Sequence, residues 1–359
     1  YLYGSNRVVF GEEFQRYQGV YEGKLGNPFI TWEKAIKQNY GIETAFLRDR
    51  LTFNFDYFID YRDNILDAVP TIAHVAALGA DTYNVSEVKN KGFEMALGWE
   101  DRVGAVNYWI NGNYTFARNE VIYNPDPQDP DNPNTWTIGR PLNQTMGLIA
   151  YGFFNTQGEA DSWPVQFAQR SVPGDVRYID VNSDGVVNEK DISPIGAPTF
   201  PEVSYGISMG LSYKGFDFSM LFQGADRVST RLSGYMREPA KLFAGMLAEV
   251  KEQRWTPENT ENASRPRLTA TYGNDLNYKV SSLWQRDASF LRLRNVELGY
   301  KFTGNFLKKF HISSARLYVS GKNLYIWDKL EIVDPEQSPG NGLRYPQLKV
   351  FNAGLSVQF

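Results

Sequence analysis

The sequence predicts an all-β chain, a portion of an antiparallel transmembrane β-barrel with long extracellular loops. Three observations predict it. Apolar and polar residues alternate with period two over stretches of about ten residues, longer than the five or six of an average strand. Aromatic residues make up 15% of the 359. Many sit at strand ends (Tyr57, Tyr61, Trp99, Tyr114, Phe116, Trp327), where interfacial girdles belong. The connections are either short (Leu47–Arg50, Arg102–Ala105, Lys214–Gly215) or long (Arg62–Lys89, Asp226–Asp287), the asymmetry of short periplasmic turns and long outer loops.

The candidate strands, about twelve, follow in order. Segments 3–18 and 33–46 open the chain. In 51–61, Phe53, Phe55, Tyr57, Ile59 and Tyr61 share one face and Asn54, Asp56 and Asp60 the other, with Phe58 as the exception. In 90–101, Phe93, Met95, Leu97 and Trp99 alternate with Glu94, Ala96 and Gly98. In 106–117, Tyr108, Ile110, Gly112, Tyr114 and Phe116 alternate with Trp109, Asn111, Asn113 and Thr115. Segments 144–154 and 174–180 are weaker candidates. Tyr205, Ile207, Met209 and Leu211 mark 203–213, and Phe216, Phe218, Met220 and Phe222 mark 215–225. Segments 288–303 and 315–327 precede a closing strand, 348–359, with Phe351, Ala353, Leu355, Val357 and Phe359 on one face. The polar faces carry Asn, Gln, Asp and Ser rather than Lys and Glu, which suits a wet or plugged lumen better than a soluble sandwich.

Composition removes several classes. The chain has no cysteine, so no disulfide or thiolate metal site exists. Its 41 acidic and 37 basic residues give a net charge near −4, which argues against a dedicated nucleic-acid binder. No apolar run is long enough for a transmembrane helix, Ile65–Ala80 being broken by Pro70, His74 and Gly79. No signal peptide is visible at Tyr1–Asn6, as in any mature or excised chain. One helix is expected, opened by Pro239 and carrying Leu242, Phe243, Met246, Leu247 and Val250 at helical spacing up to Arg254. Catalytic constellations are missing: His74 and His311 have no neighbouring partner, and no nucleophile elbow, phosphate loop or dinucleotide fingerprint occurs. The expectation is a protein that is not an enzyme.

The sharpest local signal runs from Asp180 to Asp191. Asp180, Asn182, Asp184, Asn188 and Asp191 place side-chain oxygens at loop positions one, three, five, nine and twelve, with Gly185 at the turn and the Val186 carbonyl at seven. That pattern predicts a structural Ca²⁺, which takes about six to eight oxygen ligands. Asp replaces Glu at the last position, which lowers the expected affinity. An Asx-rich turn without metal is the plain alternative. A dockerin-like module is disfavoured, because Pro194 and Pro198 stop any following helix and no second copy exists.

A resemblance covers nearly all of the chain. Its carriers, in order, are Asn27-Pro28, Thr31-Trp32-Glu33-Lys34, Asn90-Lys91-Gly92-Phe93-Glu94, Gly139-Arg140-Pro141-Leu142, Pro173-Gly174-Asp175-Val176-Arg177-Tyr178 and Ile195-Gly196-Ala197-Pro198. They continue with Arg254-Trp255-Thr256-Pro257, Ser289-Phe290-Leu291-Arg292-Leu293-Arg294-Asn295-Val296, Gly321-Lys322-Asn323-Leu324, Asp334-Pro335-Glu336 and the terminal Phe359. The ordered set resembles the C-terminal half of SusC/RagA-type TonB-dependent outer-membrane transporters. The resemblance implies import of oligomeric nutrients, glycans or peptides, with a SusD-like surface lipoprotein and the TonB complex as partners. It also implies that residues 1–359 form one part of a longer polypeptide, beside the rest of the barrel and the plug, in outer-membrane lipid. Transporters of this kind close at about 22 strands, so about twelve would leave two edges to be paired. Phe359 and its strand resemble the signature read by the outer-membrane insertion machinery. With the C-terminus in the periplasm, strand parity puts the 180–191 loop outside, provided 118–202 contains two wall strands. The rival reading is a calcium-stabilised extracellular β-sheet adhesin or glycan-binding module.

Overall fold

A computed structural model describes residues 2–10, 15–24, 27–69, 81–239, 246–269, 276–330, 333–336, 345 and 347–359. Strands β1 (Leu2–Phe10) and β2 (Gln15–Lys24) pair as an antiparallel hairpin, so the expected strand 3–18 is in fact two. Next come β3 (Lys34–Phe46), β4 (Leu51–Val69), β5 (Asp81–Val103) and β6 (Val106–Tyr123). Short strands β7 (Met146–Gly147), β8 (Ala150–Phe153), β9 (Val165–Gln166), β10 (Val176–Tyr178), β11 (Val186–Val187) and β12 (Ser193–Pro194) follow. After β13 (Val203–Tyr213) and β14 (Phe216–Asp226), the short β15 (Ser229–Arg231) and β16 (Gln285–Asp287) precede β17 (Phe290–Phe302), β18 (Ser314–Asp328) and β19 (Val350–Gln358). Nine strands form one open antiparallel sheet in the order β19-β18-β17-β14-β13-β6-β5-β4-β3.

Alternation along each strand becomes rows across the sheet. Phe46, Leu51, Trp99, Ile110, Met209, Met220 and Val296 stand opposite one another in successive pairs. A parallel row contains Tyr40, Tyr57, Phe93, Phe116 and Val203, and Phe93 contacts the Phe55, Tyr114 and Phe116 rings. The opposite face carries rows such as Thr52, Gly98, Asn111 and Ser208. A slip of one residue would exchange the two faces completely, so the pattern fixes the register. Phe58, the exception on the polar face, stands opposite Gly92: a Cβ there would lie 2.7 Å from the Phe58 ring and 2.1 Å from the Phe116 carbonyl oxygen. Gly92 therefore makes room for an aromatic ring on the wrong face. The Lys214–Gly215 turn has φ of +46° and +90°, the doubly left-handed geometry that two-residue hairpins favour.

Three strand expectations change. Arg62–Lys89 is not a long loop: β4 and β5 stay paired from Arg62–Val88 out to Val69–Asp81, with register shifts after Arg62. Polar residues on both faces there hide the strand in the sequence. Segments 144–154 and 174–180 are not wall strands, because β6 pairs directly with β13 and they form short ladders within the 124–202 connection. Zero wall strands instead of two preserves parity, so 124–202 still leaves the sheet at the same end as 227–289. The helix near Arg254 spans Ala248–Gln253 with Val250 buried, while 240–245 and His74 lie outside the described residues.

The buried core lies outside the sheet. Phe154, Gln166, Val176, Tyr178, Val187, Asp191, Leu232, Val250, Asn277, Ser281 and Trp284 are the most deeply enclosed side chains, and all belong to the two long connections. On the wall, Leu97, Ile110, Leu211, Leu298, Val319 and Leu355 are exposed. Among the described residues no second sheet covers that apolar face, as the adhesin reading would require.

Candidate functional site: outer loops and polar face

The Pro173–Tyr178 motif is the keystone of the outer loops. Gly174 has φ +87°, a left-handed turn that favours glycine, and a Cβ on it would fall 2.4 Å from the Trp255 ring. The turn aims Asp175 inward. Its buried carboxylate accepts from Arg267 Nε at 2.6 Å, from Asn277 Nδ2 at 3.0 Å and from the Val172 amide at 3.0 Å. Asn277 in turn accepts from the Val176 amide, and Tyr178 donates to the Leu276 carbonyl at 2.7 Å. A buried carboxylate needs such partners, since an uncompensated charge is costly. The 124–202 and 227–289 connections are therefore bound into one body. Arg177 lies over Tyr151 and Trp163, 4.7 and 5.0 Å from their ring centres.

A second cluster joins two segments far apart in sequence. A register shift between Leu293 and Asn295 leaves Arg294 as a bulge in β17, and bulges re-aim side chains. Arg292, almost fully buried, pairs with Asp334 at 2.7 Å and Glu336 at 2.8 Å. Arg294 reaches the same Glu336 at 3.1 Å and also donates to Gln347 and Asn323. The connection after β18 is thus tied to the sheet by charge. Nearer the other end of the polar face, Arg316 pairs with Asp217 and with Glu297. Neither cluster is visible in local spacing; the only sequence signal was that both motifs of the first belong to the ordered resemblance.

The 180–191 loop is held by its own side chains. Asp180 accepts from the amides of Asp184 and Gly185, at 3.2 and 2.8 Å, and Asp184 from that of Val186 at 2.9 Å. Asn182 donates to Asn132, and Asn188 caps the 3-10 turn Glu189–Asp191. Asp191 is fully buried, with one oxygen on the Val181 amide at 2.7 Å and the other on the Asn188 amide at 2.7 Å. It therefore faces the loop's interior, apart from the exposed Asp184 and Val186. Among the described residues no three acidic or histidine side chains converge in a way that would hold an ion. Asp180 and Asp184 each keep lone pairs, because a carboxylate offers about four acceptor sites. The turn beneath is tight as well: Asp129 is held below the usual carboxylate range by the Asn132 amide group and the Asp131 backbone amide.

A sheet apolar across one face and polar across the other, with its large packed connections all leaving from one end, defines the wall of an outer-membrane-type β-barrel. Comparison with known proteins agrees. The model of the family "TonB dependent receptor-like, beta-barrel" matches residues 1–324, and the chain belongs to that family. It is 25% identical to TonB-dependent receptor P3 of Formosa agariphila, over 99% of this chain and 37% of that protein. It is also 25% identical to TonB-dependent receptor SusC of Bacteroides thetaiotaomicron, over 94% of this chain and 33% of that protein. The chain thus spans about a third of the curated relatives it matches. Its fold superposes on a chain of the RagAB peptide transporter with a TM-score of 0.76 at 22% identity, covering 100% of this chain and 38% of that one.

Proposed function

We propose that this chain is the C-terminal wall and outer-loop body of a TonB-dependent importer of oligomeric nutrients, glycans or peptides, in the outer membrane. The carrying observation is the inverted burial: apolar rows exposed on the sheet, a compact core in the loops. A wall of that kind suits lipid on one side and a plugged, hydrated passage on the other. The energy-coupling parts and the plug would come from the rest of the polypeptide, with TonB supplying force. A SusD-like lipoprotein would cap the loop body, whose buried Asp175–Arg267–Asn277 network makes a rigid platform. The role is binding and passage, without covalent chemistry.

In the same reading, Asp180, Asn182, Asp184 and the Val186 carbonyl take a hard cation such as Ca²⁺, which would stiffen the loop. Added Ca²⁺ should slow amide exchange in 180–191, and Asp180→Ala with Asp184→Ala should abolish that slowing; equal exchange with and without Ca²⁺ would remove the ion from the account. The test of the whole reading is uptake by cells making the complete polypeptide, given labelled oligosaccharide and peptide mixtures. Accumulation should stop when the proton gradient is collapsed, and gradient-independent entry would sink the proposal.

A further inference from the structure

We propose that the lipid-facing side of the wall carries a built binding site for a phosphate-bearing lipid headgroup, centred on Lys89, Lys91 and Arg227. The proposal rests on the reading that the apolar rows face lipid. Lys91 stands opposite Arg118, and Lys89 opposite Glu120, in the two rows next beyond the Phe93–Phe116 pair. Strand alternation therefore puts these residues on the same face as Phe93 and Phe116, not on the lumen face. A cavity of about 630 Å³ opens there, lined by Lys89, Lys91, Arg118 and Arg227 against only Glu120 and Glu202. Its floor is aromatic: the Arg118 and Arg227 guanidinium carbons lie 5.9 and 5.5 Å from the Phe116 ring centre.

The charges are unevenly matched. Glu202, almost buried, accepts both bonds of Arg118 at 2.6 Å and lies 3.8 Å from Arg227. Lys89 and Lys91 have no ion-pair partner among the described residues, and Lys91 is exposed. Four cations thus face two carboxylates in the cavity, and among the described residues Glu120, opposite Lys89, forms no ion pair with either lysine.

Height decides what meets them. Tyr57, Phe93 and Phe116 form one aromatic row across β4, β5 and β6, where an outer interfacial girdle belongs. The Lys91–Arg118 row therefore sits one step above the hydrocarbon, at headgroup depth. Free ammonium groups over an aromatic floor at that depth suit the phosphate of an anionic lipid whose acyl chains run down over Phe93, Met95 and Leu97. The cavity lies where the wall meets the loop body, among β5, β6, the 139–144 and 196–202 stretches of the 124–202 connection and the β14–β15 connection, away from both sheet edges, so pairing of the edges leaves it intact.

The test uses the full-length transporter in phosphatidylcholine nanodiscs doped with monophosphoryl lipid A, with bound lipid counted by native mass spectrometry after extraction. Wild type should retain the phosphorylated glycolipid, and its dephosphorylated form should wash off. Lys89→Gln with Lys91→Gln should reduce retention by roughly tenfold to thirtyfold, given the usual strength of a lysine beside anionic lipid, and Lys91→Glu alone should reduce it comparably. Equal retention by wild type and variants would overturn the proposal. So would displacement by millimolar inorganic phosphate, which would mark a free-anion site, or a dimer that forms through this face and is lost in the variants. Failure to enter nanodiscs at all would instead count against the barrel reading, so the two failures are distinguishable.

Discussion

The wall and the loop body obey opposite burial rules within one chain. In the loops, Trp284 is 1% exposed and Tyr178 fully enclosed, whereas Leu97 on the wall is 54% exposed and Leu355 65%. The loops are folded as a water-soluble domain is, around a dry interior with paired charges. The wall has no interior of its own, and in the proposed reading the bilayer is its apolar phase. The same residue type therefore means different things in the two regions: Leu97 on β5 belongs to an exposed apolar row, and Leu232 in the loop body is fully enclosed.

That contrast is breakable from the loop side first. Trp284→Ala removes a buried ring that donates to the Asn277 carbonyl at 3.0 Å. It should cost the loop body about 3–5 kcal/mol, read as protease sensitivity of 124–289 while the wall stays folded. Loss of the wall as well would mean that the regions are one cooperative unit. From the wall side, Leu97→Arg should destabilise the inserted protein by about 2–4 kcal/mol, because the position lies near mid-bilayer. Reversible unfolding from vesicles measures it, and a neutral result would mean that this face meets water. Gly174→Ala should cost about 1–3 kcal/mol through its left-handed φ and the Trp255 ring, again confined to the loops and readable as faster exchange at Val176 and Tyr178.

The smallest effect is a matter of pH. Asp287 and Lys329 form an exposed pair at 2.7 Å at the outer end of β17 and β18. Burial pushes the Asp287 carboxyl up, but the Lys329 and Ser289 bonds outweigh it and hold it below the usual carboxylate range. The bond to Asp287 holds the Lys329 ammonium above its usual value. A depressed acid gives stability above its unfolded pKa and loses it as pH falls through the folded one. A raised base gives stability below its unfolded pKa and loses it as pH rises through the folded one. The pair should therefore order 287–289 and 328–330 across neutral pH and release them at both extremes, seen as local amide exchange. The unfolding midpoint should not register Lys329→Ala.

How far the sequence could be read follows the same division. Every strand of the wall was legible, because lipid on one side and water on the other stamp a clean period of two on Leu51–Tyr61 or Tyr205–Leu211. Segments 144–154 and 174–180, the second a wall strand by parity alone, are instead extended chain in short ladders inside the loops. Alternation reports extension and says nothing about which sheet receives it. It was silent at Arg62–Val69 and Asp81–Lys89, where β4 and β5 stay paired but polar residues fall on both faces. The Arg292–Glu336 and Asp175–Arg267 networks were legible only as fragments of a familiar series. Arg292 and Asp334 lie 42 positions apart and Asp175 and Arg267 lie 92 apart, distances that no local spacing reports.

Phe116 and Val203 stand side by side in the wall, though the whole of 124–202 intervenes. To the wall, that body is a single turn. Closure entropy grows only with the logarithm of length, about 0.6 kcal/mol for each doubling, so the wall is nearly indifferent to what is inserted there. Relatives could lengthen, shorten or exchange this insert without re-registering one strand, and a graft between Tyr123 and Val203 is the natural cut. Variation in what the outer surface grips can then proceed at its own pace, while the staves below stay fixed by the width of the membrane.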